Sequence, residues 1–242
     1  MAKTSAKDGI MLIDGYNYST YIADYEYQMQ VDPVEVTGLS EGSHNFIPGQ
    51  KVARLAANAY WDNATITTVM SGMLENKIVT LIPEGYTLGN PTLSMPFMQA
   101  NFNPQGSPAS AITLGQLEFL SYGNNAGVED GYALAHGTIT DTTTGTGFVD
   151  PSAGAVTAIC AGALHIWTAC AEDTYVVTIE HSTSLASGYS TLLTFTLDGS
   201  AVGSERITAT SGTVNKYRRV VATRTGSADD DFGFSVHFWH AG

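Results

Sequence analysis

Near one end of the chain, Phe232, Phe234, Val236 and Phe238 alternate with Gly233, Ser235, His237 and Trp239. A hydrophobic period of two belongs to a strand and cannot sit on a helix, whose faces repeat every 3.6 residues. The same period returns where Tyr175, Val177 and Ile179 alternate with Val176, Thr178 and Glu180, and again at Leu193, Phe195 and Leu197. Composition points the same way. Only 14% of the 242 residues are charged, against the ~25% of an ordinary globular domain, while Gly numbers 25 and Tyr 12. A surface built from Ser, Thr, Asn, Gln and Gly excludes an all-α fold and predicts a mainly β one.

Upstream, strands are expected at Ile10–Ile13, closed by the hairpin-forming Asp14-Gly15, then at Val34–Thr37, Val52–Tyr60 and Ile78–Ile82. Two more are expected near 112–122 and 132–140. One helix is expected after the capping pair Asp62-Asn63, because Ile66, Val69, Met70, Met73 and Leu74 fall on a single stripe. The segment 83–108, with five prolines, reads as irregular. The polar run Thr140–Gly147 ends at Asp150-Pro151 and predicts a domain boundary there, giving domains 1–150 and 151–242, the second a β-sandwich.

Charge narrows the function. Acids outnumber bases by 23 to 10, a net −13, and the first 150 residues hold fifteen of the acids and five of the bases. Such a surface repels phosphate and argues against a grip on a nucleic-acid backbone. No apolar run is long enough to span a bilayer, and no hydrophobic stretch follows Lys3 and Lys7 as in a signal peptide. Cys160 and Cys170 are too few for a metal quartet or disulfide framework and read as buried thiols.

Motifs that invite chemistry lack their context. Gly38-Leu39-Ser40-Glu41-Gly42 matches the nucleophile elbow of serine hydrolases, but that chemistry needs a helix after the serine, and Ser43–Gly49 has no helical period. The six histidines, His44, His136, His165, His181, His237 and His240, show no metal-ligand spacing and read as exposed strand-face or terminal residues. Asp229-Asp230-Asp231 lacks the alternating ligands of a calcium loop and reads as a solvated hairpin tip. The bases around Tyr217, namely Lys216, Arg218 and Arg219, read as an ion-pair site between subunits. The residues therefore predict a non-enzyme with no catalytic, cofactor or metal site.

The order of features resembles the major tail (tail tube) proteins of long-tailed bacteriophages. The resemblance rests on Asp14-Gly15-Tyr16, Tyr18–Ile22, Val34-Glu35-Val36-Thr37-Gly38 and Phe46-Ile47-Pro48-Gly49, followed by a long strand and a single helix. Val176–Ser182, Leu192–Phe195, Gly212–Val220 and Phe234–Phe238 are similar to a C-terminal appendage of phage tail subunits, a sandwich of the type shared by carbohydrate-binding modules. The resemblance implies a tail-tube domain over 1–150 that joins copies of itself into a ring, commonly hexameric, with rings stacking through the 38–50 loop and the 83–108 segment. An outward sandwich would follow at 151–242. It implies a virion protein assembled in the host cytoplasm, with other tail proteins at the tube ends, no cofactor, and DNA passing through the lumen without specific binding. Lumen-facing side chains are then expected among Asp14, Asp24, Glu26, Asp32, Glu35, Asp62, Glu75, Glu84 and Glu118, and not Lys51, Arg54 and Lys77. Two alternatives remain at this stage. One is an adhesin whose sandwich stacks a glycan on Tyr189, Trp167 or Trp239, and the other an esterase built on Ser40.

Overall fold

The computed structural model describes residues 8–36, 43–44, 46–61, 76–106, 113–121, 129–150, 156–157, 159–209 and 213–240. Nineteen strands appear among them: β1 (Ile10–Ile13), β2 (Tyr16–Asn17), β3 (Ile22–Glu35), β4 (Phe46–Tyr60), β5 (Asn76–Ile82), β6 (Pro91–Asn101), β7 (Pro104–Gln105), β8 (Thr113–Ser121), β9 (Glu129–Ile139) and β10 (Thr143–Thr144). The series continues with β11 (Phe148–Val149), β12 (Val156–Thr157), β13 (Cys160–Thr168), β14 (Thr174–Ser182), β15 (Ser190–Thr194), β16 (Gly203–Ala209), β17 (Thr213–Val214), β18 (Tyr217–Thr225) and β19 (Phe232–His240). The chain is mainly β, as its alternation predicts. The expected helix at 66–74 and the Gly38–Gly42 motif lie outside the described residues.

Contacts divide the chain into two compact units. The first comprises residues 1–20, 78–94 and 129–242. Its larger sheet runs β16-β13-β19-β9-β6-β5-β1-β2, and a smaller sheet, β10-β18-β14-β15 with β11 also on β18, faces it. The core between them takes Leu164 and Ile166 from β13, Phe232, Phe234, Val236 and Phe238 from β19, Val177 and Ile179 from β14, and Val220 from β18. Gly162 lets the two layers close: a β-carbon there would stand 2.8 Å from Ile179 Cδ1 and 3.0 Å from Leu193 Cδ1.

The larger sheet also curls on itself. Asp14 and Gly15 form the two-residue turn expected from sequence, both with positive φ (49° and 87°), between paired Ile13 and Tyr16. That turn meets the far end of the sheet at β16. Ser204 Oγ donates to Asp14 Oδ1 at 2.8 Å, and a β-carbon on Gly15 would lie 2.4 Å from the Gly203 carbonyl oxygen. Strands β13 and β19 are consequently buried on both faces over seven residues each.

The second unit comprises residues 21–77 and 95–128. Here β3 and β4 form a long antiparallel hairpin, registered from Ile22 opposite Ala59 to Glu35 opposite Phe46. Strand β8 pairs with the other edge of β4, and Phe97–Asn101 of β6 pair with β8. Ala53, Leu55, Ala57 and Ala59 are buried on one face, joined by Leu117 and Phe119.

Two expectations are corrected. The segment 83–108 is not irregular, since it holds all of β6 and β7. Two of its prolines are placed where a missing N–H costs little. Pro91 opens the strand, and Pro96 falls between the run paired with β9 and the run paired with β8. The chain also does not divide by contacts at residue 150. β9 pairs along β19, β10 and β11 pair with β18, and Asp150 itself is fully buried. The polar Thr/Gly stretch that suggested a linker is an edge strand with its approaches.

One expected outcome follows. A chain ending at residue 150 removes β13 and β19, leaving β9 without its partner and without the facing core. Circular dichroism and proteolysis of that fragment should show residues 129–150 unfolded and digested, whereas the intact chain protects them.

Candidate functional site

The histidines expected at the surface are the first correction. His165 and His237 are 0% and 2% exposed, on the inner face of the curled sheet. The Gly15 N–H donates to His165 Nδ1 at 3.2 Å, so the ring proton sits on Nε2 and is donated to Thr80 Oγ1 at 2.9 Å. Thr80 Oγ1 lies 2.9 Å from Ser94 Oγ, which is also buried. His237 Nε2 reaches Ser235 Oγ at 3.1 Å, and that hydroxyl donates to the Ala135 carbonyl at 3.0 Å. The two rings stand edge to face, 6.1 Å apart. Burial pushes His165 down to about 3, and burial followed by the nearby His165 and His136 holds His237 well below its ordinary range. Both are neutral structural groups.

The basic cluster is corrected as well. Arg218 is fully buried and pairs with Asp150 at 2.5 Å within the same chain, its guanidinium 4.6 Å above the Phe238 ring. His240 Nε2 meets the same Asp150 oxygen at 2.7 Å. Arg219 pairs with Glu180 at 2.7 Å and covers Tyr189 at 4.0 Å. These bases are spent inside the subunit. Burial of the pair explains why Arg and not Lys stands at 218: the guanidinium remains charged and offers flat faces for stacking.

Asp230 is more than a hairpin tip. Its Oδ2 accepts the backbone N–H groups of Ala171, Glu172 and Asp173 at 2.9, 2.7 and 3.3 Å, which hold the carboxyl below its ordinary range. Arg224 joins Asp173 and Asp229 at 2.8 and 2.7 Å. Among the described residues no cluster of His, Cys, Asp and Glu is arranged to hold a metal ion. Cys160 and Cys170 are free and buried, as the sequence suggests. Two of the aromatics considered for glycan stacking already have partners, Tyr189 with Arg219 and Trp167 with the His136 ring at 4.7 Å.

What remains open is a surface of the second unit. Opposite the buried alanines, the other face of its sheet carries Asp24, Glu26, Gln28 and Gln30 from β3, Arg54 and Asn58 from β4, and Glu118 from β8. Arg54, which is among these face residues, is bound to Glu118 at 2.5 Å, and Asn58 donates to Asp24 at 2.7 Å. The cation is neutralised by its neighbour, so the face reads as acidic and amide to anything approaching it. Among the described residues β3 pairs only with β4, leaving a fourteen-residue edge. Met29 and Val31 near its far end are 52% and 39% exposed, and Val52 on β4 is 39% exposed. Of the other expected lumen acids, Asp14 is bound to Ser204, Glu35 to His44, and Glu84 is exposed. Asp62 and Glu75 lie outside the described residues. Sequence reading listed the acids of this face without their register, which strand pairing supplies.

No protein-family model and no curated protein matches the chain. Among solved structures it is similar to a protein in the virion of a native gene transfer agent particle, at 16% identity and a TM-score of 0.39 over 50% of this chain and 95% of that one. It is similar to a protein in the tail of an empty gene transfer agent particle refined with C6 symmetry, at 16% identity and 0.40, over 53% and 98%. A third is the Dit protein of phage SPP1, from the hub adsorption apparatus of phages that infect Gram-positive bacteria, at 11% and 0.35 over 96% and 99%. Likeness at this level assigns neither family nor activity.

Two outcomes test the buried polar groups. The unfolded chain binds protons at His165 and His237 from about pH 6.5 downward while the folded chain does not, so their contribution is intact above that pH and lost below it. Unfolding free energies from urea titrations should stay level from pH 8 to about 6.5 and fall below it by about 1.4 kcal/mol per pH unit for each histidine, with a shallower slope in His237→Gln. Asp150→Ala strands the Arg218 charge in the core, and equilibrium denaturation should show a loss of about 3–5 kcal/mol.

Proposed function

We propose that the chain is a structural subunit of a phage-type tail, joining copies of itself edge to edge into stacked rings around a lumen through which DNA passes. The observation that carries this reading is the sheet of the second unit, with an acidic and amide face beside the outer edge of β3, to which no strand pairs among the described residues. A single soluble domain rarely leaves so long an edge open, because it templates pairing with another chain. A closed ring uses such an edge without leaving an end. An acidic lining repels a passing phosphate backbone over about a Debye length, ~8 Å at physiological salt, where a basic one would hold it. The sequence resemblance to tail tube proteins, which covers residues 9–140, supports the same role. The protein is then a virion component without catalytic chemistry, its partners being further copies and the proteins at the tube ends.

The test is assembly. Negative-stain microscopy of concentrated protein should show rings or tubes. Met29→Lys combined with Val31→Lys, both exposed, should abolish them while leaving circular dichroism and the thermal midpoint unchanged. A monodisperse monomer at every salt concentration would remove the reading.

A further inference from the structure

The curl of the larger sheet in the first unit leaves a cavity of about 10 Å³ among β6, β9, β13 and β19. Thr92, Ser94 and His237 supply its polar wall, and Gly131, Ala161 and Ala163 are too short to fill it. Thr92 is as deeply buried as His237. Thr92 Oγ1 and His237 Nδ1 each lack a hydrogen-bond partner in the protein. Buried polar atoms are nearly always paired, so two orphans on the wall of one cavity call for a common partner. Proton positions define what that partner must do. Ser235 Oγ gives its only proton to the Ala135 carbonyl, so it meets His237 Nε2 as an acceptor. The ring proton is therefore on Nε2, and Nδ1 is left as a bare acceptor that needs a donor. Thr92 Oγ1 both donates and accepts, but the two atoms make no direct bond.

Size and charge narrow the occupant. A single water requires about 10–15 Å³ of such space, so the cavity has room for one water and for no organic ligand. Among the described residues no carboxylate and no charged base lines it, so neither a metal ion nor an anion finds a counter-charge there. Cavities that stay dry are apolar, whereas this wall carries two unmet polar atoms. We infer that the cavity is a binding site for one ordered water, which donates to His237 Nδ1 and accepts from Thr92 Oγ1. Its second proton has Ser94 Oγ on the same wall as an acceptor. Through that contact the water joins two hydrogen-bond chains, His165–Thr80–Ser94 and His237–Ser235–Ala135, into one network across the curl.

The inference is independent of ring assembly and is tested on the full-length chain. In NMR spectra of the wild-type protein, water should give cross-peaks to the Thr92 methyl and the His237 ring C–H protons. Their sign should be that of a water held in place and not of one exchanging freely. Nitrogen spectra of the His237 imidazole should place its proton on Nε2. Thr92→Val keeps the shape and removes the hydroxyl, so its effect on stability separates the cases by sign. With the water in place, the variant loses a hydrogen bond, and the folding equilibrium constant should drop by about fivefold. The cross-peak at His237 should vanish with it, and Thr92→Ser, which retains the hydroxyl, should keep that cross-peak. Without the water, Thr92→Val removes an unsatisfied buried hydroxyl, and stability is unchanged or higher. The inference is overturned by that result, by a wild-type spectrum without the water cross-peaks, or by a His237 proton on Nδ1.

Discussion

The pairing of β13 with β19 is the contact on which the first unit depends. These strands form a wall between two interiors, with large apolar residues toward the smaller sheet and small or polar ones toward the curl of their own sheet. A strand that faces water on one side can alternate apolar with polar freely. A strand buried on both sides has to alternate by size and hydrogen-bonding capacity instead, because both faces are close-packed. Ala161, Ala163, His165, Gly233, Ser235 and His237 meet that demand on the inner face.

Burial of polar groups then imposes a second demand, that each donor and acceptor find a partner. The sheet meets much of it with short chains of hydrogen bonds between segments distant in sequence, although His237 Nδ1, His240 Nδ1 and Arg218 Nε find no partner among the described residues. The Gly15 N–H, His165, Thr80 and Ser94 form one such chain, and Arg218, Asp150 and His240 another. Neither is a source of large net stability, since removing charges and amides from water costs nearly what their pairing returns. Their effect is selective. A slip of one residue in any of the strands would turn these groups to the wrong interior and leave them unpaired, so they penalise wrong registers far more than they reward the right one.

How far the sequence discloses this structure depends on how many faces of each element are wetted. Strands with a plain period of two, such as β14 and β19, were legible, and so was the Asp14-Gly15 turn. β13 was not, because Cys160–Thr168 has no polar face to mark its period, and β6 was hidden by prolines that belong to a strand changing partners. The division into units was illegible for a different reason. A polar Thr/Gly stretch looks alike whether it links two domains or edges one sheet, and only the pairing with β18 distinguishes them. For the candidate surface, the excess of acids was visible in composition, but the face that gathers Asp24, Glu26 and Glu118 depends on register. The burial of His165 and His237 could have been suspected from the apolar neighbours on either side of each, whereas Arg218, between Tyr217 and Arg219, carries no such signal.

The placement of β19 has a consequence for the order of events during synthesis. This strand occupies residues 232–240 and is the central partner of both β9 and β13. Closure of the first unit must wait until residues 232–240 have been made, and contacts between segments so far apart in sequence form slowly. The long β3–β4 hairpin, by contrast, is made of neighbouring segments available early. The cell therefore holds, for a time, chains whose hairpin edge is formed while the larger sheet is still incomplete. The β3 edge is therefore formed before β19 exists, and the pairing with a second copy that such an edge can template is open to the chain earlier than closure of the first unit.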